Sequence, residues 1–281
     1  MAAVLEVANR RLDTLWGLLE AGETPVAPNL PLRVGVDLGT ANIVVAVADE
    51  KGEPLAGALQ PARVVKDGLV VDYVGAIAII RRLVAEVERR IGRQLTHAAC
   101  AIPPGTGKGA ERVTANVVQS ADLEVTAVVD EPTAAATFLG IRDGAVIDVG
   151  GGTTGISVLK RGKVVYTADE ATGGTHFTLV VAGRFGVSFA EAEALKLGGL
   201  PARDLFPVVM PVVEKVASIV QRHLQICPAK QAYLVGGAVA LPGMADVMAR
   251  YLGIPVHVPA HPLLVTPMGI AMAGVQGGEA R

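Results

Sequence analysis

Two short segments hold the residue types best suited to chemistry. Val34-Gly-Val-Asp-Leu-Gly-Thr-Ala-Asn-Ile-Val-Val-Ala-Val47 ends a β-branched run with an aspartate, then turns through a glycine flanked by hydroxyl and amide side chains. Ala145-Val-Ile-Asp-Val-Gly-Gly-Gly-Thr-Thr-Gly-Ile-Ser-Val158 repeats the arrangement, and aligning Asp37 with Asp148 sets Gly39 on Gly150 and Val47 on Val158. Each reads as a β-hairpin with a glycine-rich turn. Gly39, Gly150, Gly151 and Gly152 leave main-chain N–H groups uncovered by Cβ atoms, so phosphate oxygens can approach the backbone. Thr40, Asn42, Thr153 and Thr154 add side-chain donors. Asp37 and Asp148, at the strand ends, suit a hydrated Mg²⁺ held against those phosphates, because a bare carboxylate facing a phosphate would be repelled. One such turn is ordinary turn chemistry. Two at matching positions imply related halves that share one site.

The elements that must position these turns follow from periodicity. Val4, Ala8, Leu12, Leu15 and Leu19 recur at steps of three and four, which predicts an amphipathic helix over 4–19. A spacer with Pro25, Pro28 and Pro31 follows and cannot continue it. Between the hairpins the pattern predicts a helix from Val74 to Ile91, a strand from Ala98 to Ile102, a helix from Ala110 to Ala121, a strand from Val125 to Val129 and a short helix from Pro132. After the second hairpin it predicts helices near Phe177–Phe185, Ser188–Leu197 and Leu205–Leu224, a strand Ala232–Val235 and a last helix from about Pro267. Hairpins followed by alternating helix and strand argue for α/β lobes with mixed sheets. The expected organisation is a helix and linker over 1–31, lobe I over 32–143 plus a C-terminal helix 265–281, and lobe II over 144–264.

Composition narrows the function classes. Of 281 residues, 51% are hydrophobic and 19% charged, so a folded chain with sizeable cores is expected. A net charge of -2 gives no footprint for nucleic acid or an anionic membrane surface. No continuous apolar leader or membrane span stands out, so the expected location is cytoplasmic. Cys100 and Cys227 lie far apart without CxxC spacing, and the five histidines show no metal-ligand spacing. Pro103-Pro-Gly-Thr-Gly-Lys-Gly109 imitates a phosphate-binding P-loop, but Ile102 stands where a glycine is needed and Gly109 where a serine or threonine is needed.

Taken together, the motifs resemble the actin-like ATPase superfamily of DnaK and MreB. Val34–Asn42 and Ile147–Thr154 resemble its two phosphate loops, Val129-Asp-Glu-Pro-Thr-Ala-Ala-Ala136 its first connecting motif, Leu234-Val-Gly-Gly-Ala-Val-Ala-Leu-Pro242 its adenosine motif, and Pro267-Met-Gly-Ile-Ala-Met-Ala-Gly274 its second connecting motif. The resemblance implies two duplicated ribonuclease-H-like lobes with an ATP/ADP and Mg²⁺ cleft between them. It implies that Asp37 and Asp148 hold the magnesium waters and that Glu131 positions or deprotonates the attacking water. It assigns Gly39, Thr40, Ala41, Asn42, Lys66, Gly150, Gly151, Gly152, Thr153, Thr154, Gly174, Glu193, Lys196, Gly236 and Gly237 to the nucleotide. For Glu131 the residues alone leave an alternative, an acid capping the helix that begins at Pro132. Lys66 reads equally as cover for the turn before Gly68.

Two features depart from that pattern. The second loop of the superfamily often carries an acid two residues after the position of Thr153, where this chain has Gly155. Almost nothing is inserted between Gly198 and Leu205, so the outer part of lobe two is reduced. The compact form, with Val65–Asp72, Ile102–Thr106 and Ala168–Gly174, resembles a family of chaperone-like proteins from ethanolamine-utilisation operons that build a microcompartment. That resemblance implies an ATP-driven two-lobe switch whose partners are ethanolamine-pathway enzymes or shell proteins. A scaffold that binds nucleotide without hydrolysing it and a small-molecule kinase are the alternatives. Residues 4–19 resemble an encapsulation peptide; packing of their apolar stripe on the chain's own lobe is the competing reading.

Overall fold

A computed structural model describes residues 2–66 and 68–274. The expected C-terminal helix runs on past 274; residues 275–281 lie outside the described residues.

The first half opens with helix α1 (Ala2–Leu19), then strands β1 (Arg33–Leu38), β2 (Asn42–Ala48) and β3 (Pro54–Pro61) and the two-residue pair β4 (Val65–Lys66) and β5 (Leu69–Val70). It continues with α2 (Tyr73–Ile91), β6 (His97–Ile102), α3 (Lys108–Gln119), β7 (Glu124–Asp130) and α4 (Glu131–Leu139). The second half contains β8 (Gly144–Val149), β9 (Thr154–Lys160), β10 (Lys163–Glu170), α5 (Gly174–Phe185), α6 (Phe189–Ala194), α7 (Ala202–Ile226), β11 (Ala232–Val235), α8 (Met244–Leu252), β12 (Val256–His257) and α9 (Val265–Ala273).

Two five-stranded mixed sheets result, ordered β3-β2-β1-β6-β7 and β10-β9-β8-β11-β12. Each has an antiparallel three-strand meander on one side and parallel strands on the other. The duplication read from the hairpins is therefore a duplication of whole sheets.

Strand alternation decides what each sheet face meets. In lobe I, Val36, Leu38, Ile43, Val45 and Val47 point to the outer core, where α2 supplies Ile80, Leu83, Val87 and Ile91. That helix starts at Asp72, whose side chain accepts the Gly75 N–H at 2.9 Å, and stops at left-handed Gly92. In lobe II, Ile147, Val149, Ile156 and Val158 meet Val209, Val213, Val216 and Val220 of α7. The opposite faces share a third core in which Val44, Ala46, Val146 and Leu159 surround Ala135, Phe138, Leu139 and Met268. Helices α4 and α9 thus form the axis between the lobes.

Small residues let that axis close. A Cβ on Gly269 would sit 2.0 Å from the Ala134 carbonyl oxygen, and one on Gly35 would sit 2.4 Å from the Ala271 nitrogen. The apolar stripe of α1 packs within the chain: Ala8, Leu12 and Leu15 are buried in the shared core, and Arg90 ties the helix end down by donating to the Leu18 and Leu19 carbonyls. Val7 and Trp16 stay about half exposed.

Four elements escaped the periodicity reading. Strands β3 and β10 alternate weakly, and β10 is an edge strand with exposed Lys163, Val164 and Val165. Helix α8 and strand β12 are short and follow several glycines and prolines. Helix α7 begins at Ala202 and runs through Pro207 and Pro211. Its buried stripe of Leu205, Val209, Val213, Val216 and Val220 outweighs the bonds those prolines remove.

Candidate functional site

The two glycine turns face each other across the lobe boundary. A Cβ on Gly151 would lie 2.9 Å from Ala41 Cβ, and one on Gly152 would lie 2.9 Å from Thr40 Oγ1. The glycines therefore serve the close approach of the loops as well as any approach of phosphate. Loop II is braced from below. Gly150 N–H donates to Thr153 O at 3.0 Å, Gly174 N–H to Gly150 O at 2.9 Å and Thr175 N–H to Gly151 O at 2.7 Å. Thr154 is fully buried and its hydroxyl donates to Thr172 O at 2.7 Å, so it fixes the loop and does not face the cleft.

The carboxylates come together at the strand ends. Asp37 pairs with Val44, and Asp148 pairs with Gly155, on the faces that look toward α4 and α9. Asp148 is almost fully buried, and its Oδ2 accepts from Thr266 Oγ1 at 2.6 Å. Gly236, directly after β11 and at φ 93°, presses on it: a Cβ there would lie 2.4 Å from Asp148 Oδ1. Glu131 opens α4, but the helix cap is Asp130, whose Oδ1 accepts Thr133 N–H at 2.9 Å. The capping alternative for Glu131 is thereby taken by its neighbour.

Enclosure by protein and mutual repulsion raise the pKa values of these acids. Burial, then the Asp148 charge, lifts Asp37 from the ordinary 3.8 to about 7. Glu131 is pushed well above its usual range by burial and then by Asp148, Asp37, Asp169 and Asp130. Asp148 is raised by burial, against the Thr266 hydrogen bond. Asp169, on β10, rises to about 6 through burial, opposed by a hydrogen bond from Thr153. The charges that raise these pKa values all come from other acids, so a cation beside them would stabilise their ionised forms. Among the described residues no three His, Cys, Asp or Glu side chains are grouped to chelate a bare metal ion. The set fits a cation that keeps its water, as Mg²⁺ does.

The remaining predicted residues fall at different distances from that centre. Lys196 Nζ contacts Glu193 Oε2 at 2.8 Å, Thr178 Oγ1 at 2.9 Å and Gly174 O at 3.2 Å. Glu193 and Lys196 are thus joined to loop II through Gly174. Gly237 begins the short turn after β11, with Leu263 3.2 Å from where its Cβ would stand. Gly39 closes the first turn against the Asn42 carbonyl oxygen, 2.8 Å from where a Cβ would be. Lys66 is exposed on β4. Asp169, Thr266 and Thr178 join the site without having been singled out from the sequence. Asp169 lies in the Ala168–Gly174 stretch, but without β10 recognised as a strand no face could be given to it. A cavity of about 430 Å³ between Glu170–Thr172 and α7 contains none of the cleft residues.

Two duplicated lobes with paired glycine turns and carboxylates on one cleft define an actin-like ATPase fold. The chain belongs to the family of ethanolamine utilization protein EutJ. It is 45% identical to that protein of Escherichia coli K12 over 270 residues, covering 96% of this chain and 95% of the relative. The crystal structure of EutJ from Carboxydothermus hydrogenoformans is 50% identical, superposes with a TM-score of 0.89 and covers 95% of this chain and 98% of its own. MreB 5 of Spiroplasma citri bound to AMPPNP shares the fold at 17% identity, with a TM-score of 0.69 over 86% of this chain and 95% of that one. Residues 66–198 match the Hsp70 protein model, and residues 141–265 match that of the type IV pilus assembly protein PilM.

Proposed function

We propose that this protein binds ATP with Mg²⁺ between its lobes and hydrolyses it, acting as a chaperone-like two-lobe switch in ethanolamine utilisation. The observation that carries the reading is the enclosed acidic group at the meeting point of the two glycine turns, with Glu131 released from capping duty by Asp130. Mg²⁺ bound there supplies the positive charge that binds the outer phosphates and offsets the repulsion among the acids. Asp37 and Asp148 would hold its waters, and the backbone of Gly39–Asn42 and Gly150–Thr153 would cradle the phosphates. Glu131 would orient a water and accept its proton as that water attacks the terminal phosphorus and the bond to the ADP oxygen breaks. Gly236, Gly237, Glu193 and Lys196 flank the nucleoside.

The loops touch, so the lobes part to admit nucleotide, turning on the α4–α9 crossing. Thr266 in the first turn of α9 holds Asp148, while Ala271 further along abuts Gly35 of β1. One helix therefore reports from the lobe II carboxylate to the lobe I sheet. The proposed partners are ethanolamine-pathway enzymes or shell proteins, in the cytoplasm at a microcompartment. Docking through residues 4–19 would have to use the Val7 and Trp16 side of α1, because Ala8, Leu12 and Leu15 are buried at home.

Phosphate release from Mg-ATP, compared between wild type and Glu131→Gln, tests hydrolysis. The expected outcome is turnover that falls about 10²–10⁴-fold in the variant with ATP binding retained. Binding without release in the wild type would select the non-catalytic scaffold instead.

A further inference from the structure

The residue between the lobe II carboxylates is Gly155, which pairs with Asp148 in β8 on one side and with Asp169 in β10 on the other. Directly paired residues of neighbouring strands project from the same face. Two carboxylates therefore flank a glycine on the face that looks at α4. The matching row of lobe I is Asp37, Val44 and Leu59, with a single acid.

A side chain at 155 would be crowded. Its Cβ would lie 3.0 Å from Pro132 Cγ and 3.6 Å from Pro104 Cδ, so α4 and the loop after β6 close that position from above. A carboxylate can reach this region from the adjacent strand, over the bare glycine. The Asp169 carboxylate has the bonding state that such a role requires. Its Oδ1 is shielded from solvent yet has no hydrogen-bond partner, which is costly for a buried acceptor. The nearly buried Thr153 hydroxyl lies near the carboxylate and favours its ionised form. A carboxylate only accepts, so in a hydrogen bond between the two Thr153 donates and keeps its oxygen lone pairs for another donor or a cation. A threonine held this way is a ligand for positive charge and a poor donor to phosphate.

We infer that Asp169 is a further carboxylate of the cation site, accepting from the water shell of the divalent ion beside Asp148 and turning the Thr153 oxygen toward it. The inference rests on the proposed Mg-ATP cleft. It replaces the acid that Gly155 lacks with one supplied across the ladder.

The test uses the full chain with Mn²⁺ as paramagnetic probe in the presence of ATP, and calorimetry of ATP with Mg²⁺ or with EDTA. In Asp169→Asn, Mn²⁺ affinity should fall roughly tenfold, equivalent to about 1.4 kcal/mol, while ATP affinity in EDTA stays at the wild-type value. Glu170→Gln removes the next carboxylate, which belongs to His223 at 2.8 Å, and should leave both unchanged. Thr153→Val should weaken Mn²⁺ binding and Thr153→Ser should retain it, which keeps the test open if Asp169→Asn melts early. Wild-type Mn²⁺ affinity in Asp169→Asn, or an equal loss in Glu170→Gln, overturns the inference and leaves the cleft reading standing. A wild type that binds neither ATP nor Mn²⁺ overturns both.

Discussion

The two lobes repeat one scaffold and divide its work unequally. Both present an aspartate at the end of a first strand and a glycine turn after it, on sheets of the same order. In lobe I the row beside Asp37 continues through Val44 and Leu59 into the shared apolar core, and α1 packs there. In lobe II the row beside Asp148 continues through Gly155 to Asp169, and β9 below it buries Ser157 with an unpartnered hydroxyl. In that row lobe II carries two acids about a glycine, where lobe I carries one acid and two apolar residues. In the proposed Mg-ATP cleft, lobe II would therefore supply more of the acids around the cation.

The division can be broken at the axis, where both lobes depend on one contact. Gly269→Leu places a side chain against the Ala134 carbonyl and should cost about 3 kcal/mol, lowering the melting temperature by roughly 6–12 °C. Leu12→Ala tests the cohesive role of lobe I. It should cost about 2–3 kcal/mol in chemical denaturation without altering ATP affinity, because Leu12 is fully buried away from the turns. Thr266→Val removes the hydroxyl that holds Asp148 and should cost about 1–2 kcal/mol, with a further rise in the Asp148 pKa.

A smaller effect separates the lobes by pH. Acids whose pKa is higher in the folded state bind protons more tightly there, so their contribution to stability is complete below the unfolded value and is lost as pH rises through the folded one. For Asp37 and Asp169 that window runs from about 4 up to about 7. The melting temperature of the ligand-free protein should therefore fall across that range. Asp37→Asn and Asp169→Asn should each flatten the slope, and saturating Mg-ATP should remove most of it.

Much of this was legible in the residues because the relevant constraints are local. An aspartate before a glycine turn, duplicated in register, fixes both strand pairing and the place of the acids. Small residues at Ala134, Ala135, Ala136 and Gly269 announce close backbone crossing, and the structure shows it. What could not be read depended on which strand lies beside which. Asp169 becomes part of the site only because the edge strand β10 sets it opposite Gly155, and its sequence neighbours are a polar, weakly alternating run. Thr266 reaches Asp148 across more than a hundred residues of chain. Glu131 was ambiguous for a different reason: Asp130 and Glu131 are both acids at a helix start, and only backbone direction decides which one caps.

The shared cleft is tested most directly by titrating ATP calorimetrically into the wild-type chain with Mg²⁺, then with EDTA, beside Asp148→Ala. In the proposed function Asp37 and Asp148 hold a hydrated Mg²⁺, so binding should depend on Mg²⁺ and weaken at least tenfold in EDTA and in the variant. ATP affinity that is the same with and without Mg²⁺, or unchanged in Asp148→Ala, would show that the paired turns do not form a metal-nucleotide site.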